Sequence, residues 1–207
     1  MVFLQDDGMS DDMSDDEHTL MPLEKSLLED KIDRILYDAR LVIFIGEVSE
    51  YQCMIATRIM EAMVIERPRV EIKVVLNSLG GSAYDGLLLY GTIRDIVRRG
   101  TPITIEVRGV AASMAAIILQ AGTKRVAGKY SRFLLHESSL NTGDEPLTVT
   151  EQEEMAVESK RLNQMLCEIL AERTGKSVKK IEALTKRRDY WFSSKEARDF
   201  GLVDSIV

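Results

Sequence analysis

Residues 107–116, Val-Arg-Gly-Val-Ala-Ala-Ser-Met-Ala-Ala, form the stretch on which the interpretation of this chain depends. An apolar run approaches Gly109, and alanines flank Ser113 on both sides. The pattern predicts a β-strand that breaks at glycine into a helix with a serine in its first turn. Most serines in that position only cap the helix. The N-terminal N–H groups of a helix also favour negative charge, so Ser113 is at the same time a candidate nucleophile.

A serine nucleophile needs a base that accepts its proton. The chain contains two histidines, His18 and His136. His18 lies in an acidic segment without apolar periodicity, whereas His136 directly follows an apolar strand over residues 131–135. His136 is therefore the candidate base.

The nucleophile also needs backbone N–H groups that bind the oxyanion. Residues 74–82 predict a buried strand that ends at Gly80-Gly81 and leads into a helix. A glycine pair can direct backbone N–H groups outward, because glycine tolerates the dihedral angles that this requires. An ordinary connection between a strand and a helix is the alternative.

Composition separates an acidic start from a balanced body. The first twenty residues hold seven acidic and no basic side chains, which accounts for the whole net charge of −7. We expect a disordered tail over residues 1–20 and one domain over residues 21–207, since 45% hydrophobic content supports a core. The balanced body argues against nucleic-acid binding. No apolar run suits a membrane span, and the N-terminal pattern of a signal or transit peptide is missing, so a cytoplasmic protein is predicted.

Repeated strand and helix patterns predict an α/β domain with mostly parallel strand pairing. A helix is expected to open at Pro22, and Ser49 with Gln52 is expected to cap the next one. The longest helix is predicted from Thr148 or Thr150 to about residue 173, and a short last helix starts at Ser193. Gly175 and Gly201 are expected to end these two helices. The two cysteines, Cys53 and Cys167, are expected to be reduced core thiols rather than metal ligands.

Several motifs occur together in one order. They are Asn-Ser-Leu-Gly-Gly-Ser (77–82), Gly-Val-Ala-Ala-Ser-Met (109–114), the strand ending at His136, Ile-Leu-Ala-Glu-Arg-Thr-Gly-Lys (169–176), Arg-Asp-Tyr-Trp-Phe-Ser-Ser-Lys-Glu-Ala (188–197) and Phe-Gly-Leu-Val-Asp-Ser-Ile (200–206). In this arrangement residues 23–207 resemble the ClpP family, the proteolytic subunits of Clp proteases. The resemblance implies a ClpP/crotonase-like α/β fold of repeated β-β-α units, with a long handle helix in the region of about 137–173.

The resemblance also implies a site and a reaction. Ser113 would be the nucleophile, His136 the base and Asp189 the residue that orients the imidazole. Asp199 and Asp204 remain alternatives to Asp189, and the oxyanion donors correspond to the N–H groups of Gly81 and Met114. The expected function is a self-compartmentalising serine endopeptidase that cleaves unfolded proteins or peptides. It would need no metal or cofactor, because ATP would be used by a partner unfoldase.

Expected partners follow from the same resemblance. The chain would form heptameric rings stacked as a tetradecamer, and Arg187-Arg188 in place of the usual Asp-Arg leaves a single ring as the alternative. A Clp-type AAA+ unfoldase would dock on surface aromatics, but this chain has Lys73, Val75 and Asp95 at three such positions. Two further departures are Leu79 in place of proline and Glu137-Ser138 in place of Gln-Pro.

Three alternatives remain open from the sequence. A ClpP-like protease that acts without a Clp ATPase, such as a phage-type maturation protease, keeps the same chemistry. A catalytically silent ring subunit keeps only the assembly. An acyl-CoA enzyme of the related crotonase fold would use oxyanion N–H groups without a serine nucleophile, and the pair of Ser113 and His136 disfavours it.

Overall fold

The structure is a computed structural model that describes residues 17–137, 148–186 and 188–207, with side chains from residue 27 onward. The chain divides into two compact units, residues 1–39 and 40–207. The predicted tail lies outside the described residues up to residue 16, as do Ser138 and Arg187 among the positions singled out above.

Helix α1 (Glu17–Asp38) belongs to the first unit. It begins five residues before Pro22, so the expected start at that proline is wrong, and residues 17–20 are helical rather than part of a tail. A proline beyond the first turn removes one intrahelical hydrogen bond, which a helix of 22 residues tolerates. Apolar side chains of α1 at helical spacing, Leu28, Ile32 and Ile35, are exposed.

The second unit is an α/β sheet structure. Its strands are β1 (Leu41–Ile45), β2 (Ile72–Ser78), β3 (Ile103–Ala112), β4 (Lys124–Ala127), β5 (Arg132–Leu135), β6 (Tyr190–Ser193) and β7 (Ser205–Ile206). Its helices are α2 (Glu50–Glu66), α3 (Ala83–Arg98), α4 (Met114–Leu119), α5 (Val149–Thr174), α6 (Val178–Thr185) and α7 (Ser194–Phe200). Strands β1, β2, β3, β4 and β7 lie in that order with parallel pairing, β5 pairs parallel with β3, and β6 pairs antiparallel with β5. The predicted α/β class with mostly parallel pairing is confirmed.

A large part of the core lies against this sheet. Along β1 the side chains alternate, with Phe44 buried and Ile43 and Ile45 exposed. The buried face continues through Leu76 of β2 and Ile105 of β3, and helices α2, α3 and α4 pack against each other and against these strands. Burial of this apolar face is the main stabilising term for a domain of this kind.

Strand β3 does not stop at Gly109, as the sequence suggested, but runs on to Ala112. The pairing with β2 shifts there, from Leu76 opposite Val107 to Ser78 opposite Ala111, so β3 carries extra residues in a bulge. Gly109 has φ +100°, a conformation that glycine adopts without the steric penalty of a side chain. The glycine thus bends the strand rather than ending it.

Helix caps follow the sequence at most of the predicted ends. Thr148 with Glu151 and Ser193 with Glu196 form capping boxes, and Gly175 and Gly201 end their helices in the left-handed conformation. Ser49 does precede α2, but its side chain makes no cap hydrogen bond, so the predicted capping box with Gln52 is wrong.

Both cysteines are free and buried. Burial raises the pKa of each thiol, of Cys53 and of Cys167, to about 11. Neutral thiols of this kind are weak nucleophiles and weak metal ligands. The expectation of reduced core cysteines is confirmed.

Arg125, which is buried, forms an ion pair with the more exposed Asp204 between β4 and the segment before β7. The Arg125 backbone N–H donates to Asp204 Oδ2 over 2.7 Å, and its guanidinium donates to both carboxylate oxygens. The guanidinium also donates to the Gln120 side chain and to the Gly201 carbonyl. Partial burial by itself raises the pKa of Asp204, but the hydrogen bonds and charge of Arg125 outweigh it, so this pKa lies below its ordinary value.

Substitution Asp204→Asn should therefore lower the free energy of unfolding by about 1–3 kcal/mol at neutral pH, because it leaves the buried guanidinium without a carboxylate. A carboxylate with a lowered folded-state pKa stabilises the protein above the unfolded pKa of about 3.9 and stops doing so as pH falls through its folded pKa. The difference between wild type and variant in the free energy of unfolding, measured by urea denaturation, should thus disappear below about pH 4. Asp199→Asn is the matched control, since Asp199 pairs with its exposed neighbour Arg198 and, among the described residues, with no other cation. An equal loss in both variants contradicts the assignment.

Candidate active site

The carboxyl ends of β2, β3 and β5 meet at one edge of the sheet. Ser78 ends β2 and leads to Gly80-Gly81, Ser113 follows β3, and His136 follows β5. The pairing of β3 with β5 ends at Ala112 opposite Leu134, and the Ser113 N–H donates to the Leu134 carbonyl over 3.0 Å. Crevices at the carboxyl ends of parallel strands are the common ligand sites of α/β sheets.

Ser113 stands at a sharp turn between β3 and α4. Its backbone has φ 54° and ψ −125°, a strained conformation for a residue with a side chain. The hydroxyl makes no cap hydrogen bond to α4, so the interpretation of Ser113 as an ordinary helix cap is wrong.

Ser113 and His136 are in direct contact. Ser113 Oγ lies 2.7 Å from His136 Nε2. In the neutral tautomer with the proton on Nδ1, the hydroxyl donates to Nε2, which is the arrangement that lets the imidazole accept the serine proton. The structure thus brings together the two side chains that the sequence singled out separately.

Asp189 lies on the other side of the imidazole. Strands β5 and β6 pair with Leu135 opposite Tyr190, so the residues next to them, His136 and Asp189, face each other at the strand ends. Asp189 Oδ1 is 3.8 Å from His136 Nδ1, which is longer than a hydrogen bond, and the Asp189 side chain is 63% exposed. Such contacts in unliganded sites often tighten when substrate binds.

The remaining alternatives for the third residue are engaged elsewhere. Asp204 pairs with Arg125, and Asp199 pairs with Arg198. Arg188, which could have withdrawn Asp189 into an ion pair, donates to the Leu184 carbonyl and lies over the ring of Tyr190. Of the three candidates, Asp189 is therefore the one that the structure places next to the His136 imidazole.

Gly81 and Met114, whose N–H groups are the predicted oxyanion donors, line the same cavity as Ser113. Val48 forms a parallel bridge with Gly81, donating to the Gly80 carbonyl over 2.8 Å and accepting from the Ser82 N–H over 2.7 Å. Because successive peptide groups of an extended strand point in opposite directions, the Gly81 N–H points away from Val48. Met114 begins α4, and the first N–H groups of a helix have no intrahelical acceptor.

Gly80 lies close against the serine. A Cβ atom on Gly80 would come within 2.7 Å of Ser113 Cβ and 2.9 Å of the Ala112 carbonyl oxygen, and its φ is +100°. Only glycine fits this approach without displacing the neighbouring backbone. Leu79, which replaces a proline of the related motif, is exposed.

A cavity of about 440 Å³ opens beside Ser113 and His136. Its walls are largely apolar and come from α4, β5 and α5, with Met114, Ile117, Leu135, Leu166 and Leu170 among them. Cys167 also lines it, and burial raises the pKa of this thiol to about 11, so the thiol stays neutral. A cavity of this size and lining accommodates an apolar side chain of a bound peptide.

Three residues of the site have positions or contacts that the sequence did not predict. Asn77 accepts a hydrogen bond from the Val110 N–H over 3.0 Å and so ties β2 to the bulge of β3. Glu47 and Thr185 also line the cavity, although they lie 66 and 72 residues from Ser113 along the chain. Only the packing of separate elements brings such residues to one place.

The described residues show neither a membrane-spanning helix nor a metal site. No described helix is long and apolar enough to cross a membrane. In the same part of the chain, no group of three or more histidine, cysteine, aspartate or glutamate side chains is arranged to hold a metal ion.

Comparisons with known proteins agree with this geometry. The family model described as Clp protease matches residues 24–207. A protein of Rhodococcus jostii (strain RHA1), named ATP-dependent Clp protease proteolytic subunit 3, is 33% identical over 185 residues. The match covers 88% of this chain and 86% of that protein.

Substitution Gly80→Ala should reduce the reactivity of Ser113 by about 10²-fold, because the added methyl group displaces the serine or the Ala112 carbonyl. The measurement is the rate of covalent labelling by a fluorophosphonate probe, with circular dichroism to verify that the fold is kept. Gly91→Ala is the matched control, since a Cβ at this helical glycine would meet no atom within 4 Å. Wild-type labelling rates in a folded Gly80→Ala variant contradict the proposed role of this close approach.

Proposed function

The chain belongs to the Clp protease family of serine peptidases, and on that basis we propose that it is an endopeptidase that hydrolyses peptide bonds of unfolded proteins or peptides. The observation that carries the proposal is the distance of 2.7 Å between Ser113 Oγ and His136 Nε2 at a strained turn. Backbone N–H groups and an apolar cavity beside this pair support the same conclusion.

The proposed mechanism is acyl transfer through Ser113. His136 Nε2 accepts the hydroxyl proton while Oγ attacks the carbonyl carbon, and the negative charge on the carbonyl oxygen is bound by the N–H groups of Gly81 and Met114. His136 then donates its proton to the leaving amine. Water hydrolyses the acyl-enzyme with His136 again as the base, and Asp189 orients and stabilises the imidazolium.

Each of these steps uses side chains and backbone groups of this chain. No step consumes ATP, so any coupling to ATP hydrolysis would take place on a partner protein.

The handle helix α5 supports a role in assembly. Its C-terminal half is packed on its own unit through Leu162 and Leu170, whereas Val149 and Val157 of its N-terminal half are exposed. We propose heptameric rings that stack through α5 as a tetradecamer and enclose the sites in a chamber.

The partner of such a ring is a separate question. The relative from Rhodococcus is named as ATP-dependent, which favours docking of a Clp-type unfoldase. At the expected docking positions, Lys73 is exposed, Val75 is buried, and Asp95 forms ion pairs with Arg98 and Arg99. This charged surface is unlike an aromatic pocket, and it favours the second candidate function, a ClpP-like protease that works without a Clp ATPase.

Substitutions of the three proposed catalytic residues should each lower the rate of peptide hydrolysis, by different factors. Ser113→Ala is expected to lower turnover by about 10⁶-fold, and His136→Ala by a similar factor, because the residues act as one unit. Asp189→Asn should cost about 10⁴-fold. The measurements are hydrolysis of an unstructured peptide and labelling by a fluorophosphonate probe.

Asp199→Asn serves as the matched control and should keep wild-type rates, since the Asp199 carboxylate accepts hydrogen bonds from Arg198. Turnover retained by Ser113→Ala would overturn the assignment of the nucleophile. A wild-type protein that forms rings but is neither labelled nor active would favour the silent ring subunit instead.

Assembly is tested by sedimentation velocity on the full chain. The wild type is expected to sediment with fourteen times the subunit mass, and Val157→Lys with seven times, because a charge placed on the exposed apolar face of α5 opposes stacking. Lys160→Gln, a neighbouring substitution that adds no charge, should keep the double ring. A monomeric wild type would contradict the chamber, and seven subunits in the wild type would support the single ring.

A further inference from the structure

One carboxylate side chain lines the cavity beside Ser113. Of the described lining residues, Glu47 alone is an aspartate, glutamate, lysine or arginine. The rest of the lining is apolar or neutral, apart from the titratable His136 and Tyr84. The mechanism above gives Glu47 no task.

The backbone holds Glu47 in a fixed place beside the proposed oxyanion donor. The neighbouring residues are tied down on both sides, since the Gly46 N–H donates to the Asn77 carbonyl over 3.1 Å and the Val48 N–H donates to the Gly80 carbonyl over 2.8 Å. Glu47 Cγ lies 2.8 Å from the position that a Cβ of Gly81 would occupy. The stem of Glu47 therefore packs on the open side of Gly81.

The Glu47 carboxylate has no hydrogen-bond or ion-pair partner among the described residues, and the side chain is exposed. No lysine or arginine of the described cavity lining offsets its charge. An unpaired carboxylate at the rim of a cleft attracts cationic groups and repels anionic ones. A lone carboxylate is a poor metal site, which leaves a charged side chain of the bound peptide as the fitting counterpart.

Glu47 also stands between two depressions of the surface. It lines the cavity of Ser113 and, with Gly81, a second groove bordered by Ile45, Leu79 and Val110. An extended peptide with its scissile carbonyl at Ser113 would place one apolar side chain in the cavity. A side chain on the Gly81 side of that carbonyl would come next to the Glu47 carboxylate.

We infer that Glu47 is a specificity-determining residue, which favours substrates with a lysine or arginine side chain next to the apolar residue at the scissile bond. The inference rests on the proposed function and names a substrate class for it. The same carboxylate disfavours aspartate and glutamate at that position of the peptide.

The test compares cleavage of a peptide library by the full-length wild type, Glu47→Gln and Glu47→Lys, with cleavage sites identified by mass spectrometry. Matched fluorogenic peptides that differ only by lysine or glutamine at the selected position give kcat/KM. The wild type should prefer the lysine peptide by about 2- to 5-fold, the range expected for a solvent-accessible ion pair. Glu47→Gln should lose this preference, Glu47→Lys should favour acidic residues instead, and added salt should weaken the preference in the wild type.

Glu50→Gln is the matched control, because this exposed glutamate opens α2 three residues away and lines neither depression. Its cleavage profile should equal that of the wild type. Active Glu47 variants with an unchanged profile would overturn the inference and leave the proposed function in place. A wild type that neither cleaves peptides nor reacts with a fluorophosphonate probe would overturn the proposed function itself.

Discussion

The site depends on a single junction between two strands. Asn77, near the end of β2, accepts a hydrogen bond from the Val110 N–H in the bulge of β3, and Gly109 provides the left-handed conformation that the bulge requires. The junction lets β3 continue past β2 to pair with β5. Because His136 directly follows β5, the same junction brings the serine and the histidine to one edge of the sheet.

The geometry around Ser113 shows how a stable core supports local strain. The serine has a positive φ of 54°, and the glycine beside it fits only without a side chain. Conformations of this kind cost of order 1–3 kcal/mol and persist when the surrounding structure fixes them. Here α4 is buried along its whole length, so its start cannot relax away from the turn.

Of the two contacts that His136 makes at the site, only one is within hydrogen-bond distance. The contact of Ser113 with His136 is close, whereas Asp189 remains at 3.8 Å and is largely exposed to solvent. The apolar cavity contributes no counter-charge, and Glu47 adds a negative charge at its rim. A bound peptide would exclude water from this cleft, which strengthens each of these interactions.

The sequence by itself determined the α/β class, the capping boxes of α5 and α7, and the choice of Ser113 and His136 as candidate nucleophile and base. These features follow from local rules: apolar periodicity, cap residues, and the presence of one histidine next to an apolar strand. Tertiary structure alone decided that β3 passes through Gly109, that Asp204 belongs to Arg125, and that Glu47 lies beside Gly81. Each of these depends on contacts between distant segments, and the spacing of residues along a chain does not encode which segments will pack together.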